Sequence, residues 1–72
     1  MIKFTGDEKL LKQLNYEYNG AGYWTKTIQH KQTKEIITCM INTGNKQLSF
    51  NGTFKYHKVF LNELGENNYV FL

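Results

Sequence analysis

The alternation of apolar and polar positions predicts a strand and a short helix at the start of the chain. Residues 1–4 alternate between apolar and polar, as in a strand with one buried face. Three leucines between residues 10 and 14 recur at helical spacing and predict a helix over about residues 7–14. Thr5 and Glu8 have the spacing of a capping box, in which both side chains satisfy backbone amides. So short a helix needs a sheet to pack against.

From residue 15 the period changes to two, which predicts antiparallel strands. Tyr16 and Tyr18 alternate with polar residues, and the glycine-rich segment 19–22 predicts a loop. A strand is expected over residues 23–30, followed by a polar turn at 31–34. The alternation puts four side chains of this strand on one face: Trp24, Lys26, Ile28 and His30.

The clearest strand signal covers residues 35–43. Ile37, Cys39 and Ile41 share one face, while Ile36 and Met40 lie on the other. Because both faces carry apolar residues, we expect a central strand that is at least partly covered on two sides. A turn at residues 43–45 and a short strand over 46–50 follow.

The segment after residue 50 fits two interpretations. Tyr56, Phe60 and Leu64 fit a helix over about residues 55–64, with Gly65 as its C-terminal cap. Alternation of Phe54 with Tyr56 and Phe60 also fits a strand.

The chain ends on a predicted strand, residues 69–72. We therefore expect a single α+β domain over residues 1–72, built on a small antiparallel meander with a short N-terminal helix and a second helix near 55–64. Without the second helix, the expectation is a small all-β barrel.

The composition is strongly biased. All nine cationic side chains are lysine, proline is absent, and nearly half the chain consists of Phe, Tyr, Met, Ile, Asn and Lys, which indicates an AT-rich gene. The formal charge of +3 favours solubility. No apolar run approaches the roughly 18 residues that a membrane-spanning helix needs. The lone Cys39 excludes an internal disulfide and fits a reducing cytoplasm.

No residue pattern predicts catalysis, a cofactor site or a metal site. Cys39 lies mid-strand among apolar neighbours, where burial makes a thiol unreactive. His30 and His57 are too far apart in sequence to form a short-range ligand pair, and no glycine-rich phosphate loop is present. We therefore expect a protein that is not an enzyme.

Tyrosines, the tryptophan and lysines are the candidate binding residues. Tyrosine and tryptophan are favoured interface anchors, and nearby lysines attract an acidic partner. The residues predicted to contact a partner are Tyr16, Tyr18, Tyr23, Trp24, Lys26, Lys31 and Lys34. Small size and biased composition resemble the compact proteins of phages and mobile elements. By that analogy we expect a steric inhibitor of a host or bacterial defence protein, as anti-CRISPR proteins are.

The alternative is a nucleic-acid-binding module that uses the lysine and aromatic residues of the 23–34 hairpin. Basic residues between aromatic ones can track phosphates and stack on bases. Against it, arginine is the favoured base reader and the chain has none. The expected partner is thus a bacterial protein or nucleoprotein, with the chain acting as a monomer or a homodimer.

Overall fold

The computed structural model describes residues 1–52 and 56–72, which form one open antiparallel sheet with two helices. Within these residues the strands are β1 Ile2–Phe4, β2 Glu17–Tyr18, β3 Tyr23–Gln29, β4 Ile36–Asn42, β5 Gln47–Asn51 and β6 Tyr69–Phe71. The helices are α1 Glu8–Gln13 and α2 His57–Leu64, and a 3₁₀ turn spans Glu66–Asn68. The strand order is β2-β3-β4-β5-β1-β6. The predicted α+β class is confirmed, and the sheet does not close into a barrel.

The first helix lies where its leucines predict, but its cap differs from the prediction. Asp7 is the N-terminal cap, and its side chain accepts a hydrogen bond from the Leu10 amide at 3.0 Å. Thr5, the predicted cap, instead donates its hydroxyl to the Asn67 carbonyl at 3.2 Å. The capping-box prediction is wrong because Asp7 immediately precedes the first helical residue and has the extended backbone that a cap requires.

The second helix is confirmed over residues 57–64. Gly65 ends it with a positive φ of 86°, and its amide donates to the Leu61 carbonyl at 3.0 Å. Phe60 and Leu64 are buried on the face that packs against the sheet. Residues 54 and 55, which belong to the alternative strand and to the predicted helix start, lie outside the described residues.

The core lies on one face of the sheet, under both helices. Ile37, Cys39 and Ile41 of β4 are fully buried there, as the alternation predicts. The other buried residues are Phe4, Leu11, Tyr16, Trp24, Leu48, Phe60, Leu61 and Leu64. β4 is central, and on its second face Thr38, Met40 and Asn42 are half-buried, but the predicted partial cover does not extend to Ile36, which is 62% exposed. Two short helices on the same side leave that second face open.

Candidate functional site

Four of the seven predicted binding residues lie on the covered side of the sheet, and three of them are at least partly buried there; the fourth, exposed Tyr18, is directly opposite Trp24. Tyr16 is 5% exposed and Trp24 is 6% exposed, and both belong to the core cluster. Trp24 is directly opposite Ile41 in the sheet, so its ring faces the helices. These two rings stabilise the fold and contribute almost no surface to a partner.

Lys26, the third of these residues, forms hydrogen bonds with α2 and with the residue that follows α1. Its Nζ donates to Glu63 Oε1 on α2 at 2.6 Å and to the Leu14 carbonyl after α1 at 2.8 Å. The same ammonium group lies 5.8 Å from the centre of the Tyr16 ring. Its charge is therefore used inside the fold.

The remaining four predicted residues lie at opposite ends of β3. Exposed Tyr18 and Tyr23 flank the loop before the strand, whereas exposed Lys31 and Lys34 lie in the turn after it. A strand rises ~3.3 Å per residue, so these two ends are about 20 Å apart. The structure does not bring the tyrosines and lysines into one surface.

The open face of the sheet contains Tyr23 but none of the other six predicted residues. On β3, β4 and β5 its side chains are uncharged at neutral pH. They are Tyr23, Thr25, Thr27, Gln29, Ile36, Thr38, Met40, Asn42, Gln47, Ser49 and Asn51. We call this set the open face. Charged residues flank it on the outer strands, where Glu17 pairs with Thr25 and Lys3 pairs with Gln47.

The loop at residues 19–22 rises over one end of the open face and forms a shallow groove of about 600 Å³. Tyr23, Met40 and Gln47 line this groove together with the loop. The loop is held from both sides. The Gly22 amide donates to Tyr18 Oη at 3.1 Å, and the Gly22 carbonyl accepts from the Thr43 amide at 2.9 Å. The 19–22 loop, which forms one wall of the groove, is therefore held in place in the unbound protein.

The open face offers hydroxyl, amide and thioether groups. Two of its hydroxyls, on Thr27 and Thr38, lie 3.1 Å apart and hydrogen bond to each other across β3 and β4. Such groups can bind a partner's polar backbone and side chains without desolvating a charge.

The described residues contain no cluster of three or more His, Cys, Asp or Glu side chains that could hold a metal ion. Cys39 lies on the covered side, and burial raises the pKa of its thiol to about 11. A thiol that stays protonated at neutral pH is a poor nucleophile.

A second concave surface lies at the opposite end, between the β3–β4 turn and α2. We call it the basic end. Its groove of about 480 Å³ is lined in part by Ile28, His30, Lys31 and Tyr56. The His30 and Tyr56 rings are in contact, with 4.9 Å between their centres. Lys31 and Lys34 are thus adjacent to an aromatic pair, although not to the predicted tyrosines.

Sequence reasoning missed the open face because it searched for aromatic and basic residues. A usable signal was nevertheless present in the sequence. Alternate positions over residues 23–29 and 36–42 contain no charged residue on one side. The signal in the sequence was therefore the absence of charged residues along one face of these strands.

Comparisons with known proteins provide no functional assignment. No family model, curated protein or solved structure matches the chain. Along the described part of the chain, neither helix has the length and apolar character needed to cross a membrane.

Proposed function

We propose that this protein is a non-catalytic binding domain that covers a surface of a partner protein with its open face. The observation that carries the proposal is the absence of charged side chains on the open face of β3, β4 and β5, in a chain of which 21% of residues are charged. Interface cores are depleted of charge and enriched in tyrosine and methionine. Tyr23 and Met40 both line the groove on this face.

The mechanism is steric occlusion by a preorganised surface. The open face belongs to a paired sheet, and the 19–22 loop is fixed by hydrogen bonds, so little ordering entropy is lost on binding. Tyr23 is the expected anchor, because it combines a large exposed ring with a polar tip. The net charge of the chain, +3, favours approach to an acidic partner.

The proposed partner is a bacterial protein or nucleoprotein in the cytoplasm, and the proposed outcome of binding is inhibition. Small size and an AT-biased composition support a phage or mobile-element origin. Proteins of that kind commonly block a host or defence protein, as anti-CRISPR inhibitors do.

Capture from a nuclease-treated bacterial lysate, followed by competition between variants, tests the open face. Met40→Lys places a charge at the centre of the face and should reduce capture of a stoichiometric protein by about tenfold or more. Asn62→Lys adds the same charge on the exposed side of α2 and should leave capture unchanged. Equal capture by wild type and Met40→Lys would refute binding through the open face.

A second candidate function is nucleic-acid binding at the basic end. It is favoured by the exposed Lys31 and Lys34 beside the ring contact of His30 and Tyr56. Such binding should weaken steeply as salt rises, and Lys31→Ala with Lys34→Ala should weaken it for every sequence. Protein capture through the open face should survive both changes. Loss of every partner after nuclease treatment would favour this second function.

A further inference from the structure

The sheet has one edge strand that carries neither a charge nor a proline to discourage strand pairing. β6 is the outermost strand, and its residues Tyr69, Val70 and Phe71 include no charge and no proline. Val70 is 47% exposed and Phe71 is 64% exposed. The opposite edge, β2, has only two residues and carries Glu17. Proteins usually protect an edge with a charge, a proline or a very short strand, and β6 is short but has neither of the other two.

The register of β6 on β1 fixes which backbone groups point away from the sheet. The Leu72 amide donates to the Met1 carbonyl at 2.8 Å, and the Thr5 amide donates to the Asn68 carbonyl at 2.8 Å. Hydrogen-bonded and non-hydrogen-bonded pairs alternate along antiparallel strands, so Val70, which pairs with Lys3, also turns its backbone groups toward β1. The amides and carbonyls of Tyr69 and Phe71 therefore point outward from the edge.

We infer that this edge binds a second copy of the chain, strand to antiparallel strand, about a two-fold axis at Val70. In that register Tyr69 of each copy lies opposite Phe71 of the other. Each of these two pairs forms two backbone hydrogen bonds, which makes four in all. Centring the axis on Tyr69 or on Phe71 instead would leave half of the outward groups in β6 without a strand partner. Val70 then faces Val70 of the second copy on the open-face side.

A second copy fits this edge because the edge is complementary to itself. Each copy offers the same outward donors and acceptors, and a two-fold axis pairs them. The edge strand itself carries no charge, so no like charges of β6 face each other when two chains of charge +3 pair there. The two open faces would lie on the same side of one continuous sheet. This inference does not depend on the proposed function, because pairing of the two edges requires nothing to be bound at the open face.

Sedimentation of the purified chain from about 1 μM to about 1 mM tests the dimer, whose mass should be twice the 8.5 kDa of one chain. Val70→Lys puts two ammonium groups face to face and should weaken the dimer by about tenfold or more. Val59→Lys is the matched control, because Val59 is 51% exposed on α2 and lines the groove beside β3, four strands away from β6. It should leave the dimer constant unchanged.

Val70→Cys gives a readout that a destabilised fold cannot imitate. Opposite Cα atoms of a non-hydrogen-bonded pair lie about 4.5 Å apart, within the range of a disulfide. Oxidised glutathione should therefore convert this variant into a covalent dimer, while Val59→Cys should form no covalent dimer. A wild-type chain that remains monomeric throughout the concentration range would overturn the proposal. Equal effects of the two lysine variants, or no cross-link through Val70→Cys, would do the same.

Discussion

Lys26 of β3 and Glu63 of α2 form an ion pair, with 2.6 Å between Nζ and Oε1. The pair joins the sheet to the second helix on the covered side, and both side chains are partly shielded from water. The same Nζ also donates to the Leu14 carbonyl, so one side chain connects three segments of the chain. Lys26 therefore acts in folding, although its sequence context resembles a binding surface.

Removing the Lys26 charge should lower stability. Lys26→Met keeps the apolar stem but leaves Glu63 and the Leu14 carbonyl without their donor. We expect a loss of about 1–2 kcal/mol in the free energy of unfolding, measured by urea denaturation. The exposed Lys31 provides the control, since Lys31→Met should change stability by less than about 0.5 kcal/mol. Reduced partner capture by Lys26→Met at unchanged stability would instead place Lys26 in the interface.

The N-terminal cap of α1 can be assigned by a pair of substitutions. Asp7→Ala removes the acceptor of the Leu10 amide and should cost about 1 kcal/mol of unfolding free energy. The Leu10 amide should also exchange with solvent faster in this variant. Thr5→Ala removes a hydroxyl that donates to the Asn67 carbonyl instead, so Leu10 exchange should not change. Faster exchange of the Glu8 amide in Thr5→Ala, with Leu10 exchange unchanged in Asp7→Ala, would restore the capping-box interpretation.

The elements of the fold could be predicted because local periodicity reflects which face is buried. The alternation of Ile37, Cys39 and Ile41 identified the buried face of β4, and Gly65 identified the end of α2. The side on which each helix packs is not a local property. Nothing near Ile36 or Met40 indicates that both helices lie on the other face of the sheet.

The candidate site was harder to predict because closeness in the sequence does not show on which face of the sheet a side chain lies. Tyr23 and Trp24 are adjacent, yet one lies on the open face and the other in the core. Only the pairing of Trp24 with Ile41 decides which is which. From the sequence, Lys26 resembles a surface cation. In the fold, Glu63, which is 37 residues later in the chain, lies beside it.

The wall of the open-face groove depends on Gly22. Its φ is +83°, and an added Cβ would lie 3.0 Å from Asn42 Oδ1, which already accepts from the Gly44 amide. Gly22→Ala should therefore cost about 2–3 kcal/mol, from backbone strain plus this contact. Gly20 has a similar φ of +87° but open space around it, so Gly20→Ala should cost only about 1–2 kcal/mol. Equal losses in thermal or urea unfolding would show that Asn42 moves aside.

Ionisation of Cys39 should make stability fall at high pH. Burial raises the pKa of the folded-state thiol to about 11, above its ordinary value of 9.0. Between these values the folded chain keeps a proton that the unfolded chain releases, so the free energy of unfolding decreases as pH rises. The contribution is fully present below pH 9 and is lost as pH rises through about 11. The slope from this one group is at most about 1.4 kcal/mol per pH unit.

Cys39→Ala removes that slope, because the variant lacks the thiol and keeps every other ionisable side chain of the wild type. The variant will be less stable at all pH values, since Cys39 is fully buried and its removal leaves a cavity. The quantity to compare is therefore the change in unfolding free energy from pH 8 to pH 10, from urea titrations of each protein. We expect wild type to lose more stability than Cys39→Ala over this interval. Parallel pH profiles would mean that the thiol ionises as readily in the folded chain as in the unfolded one.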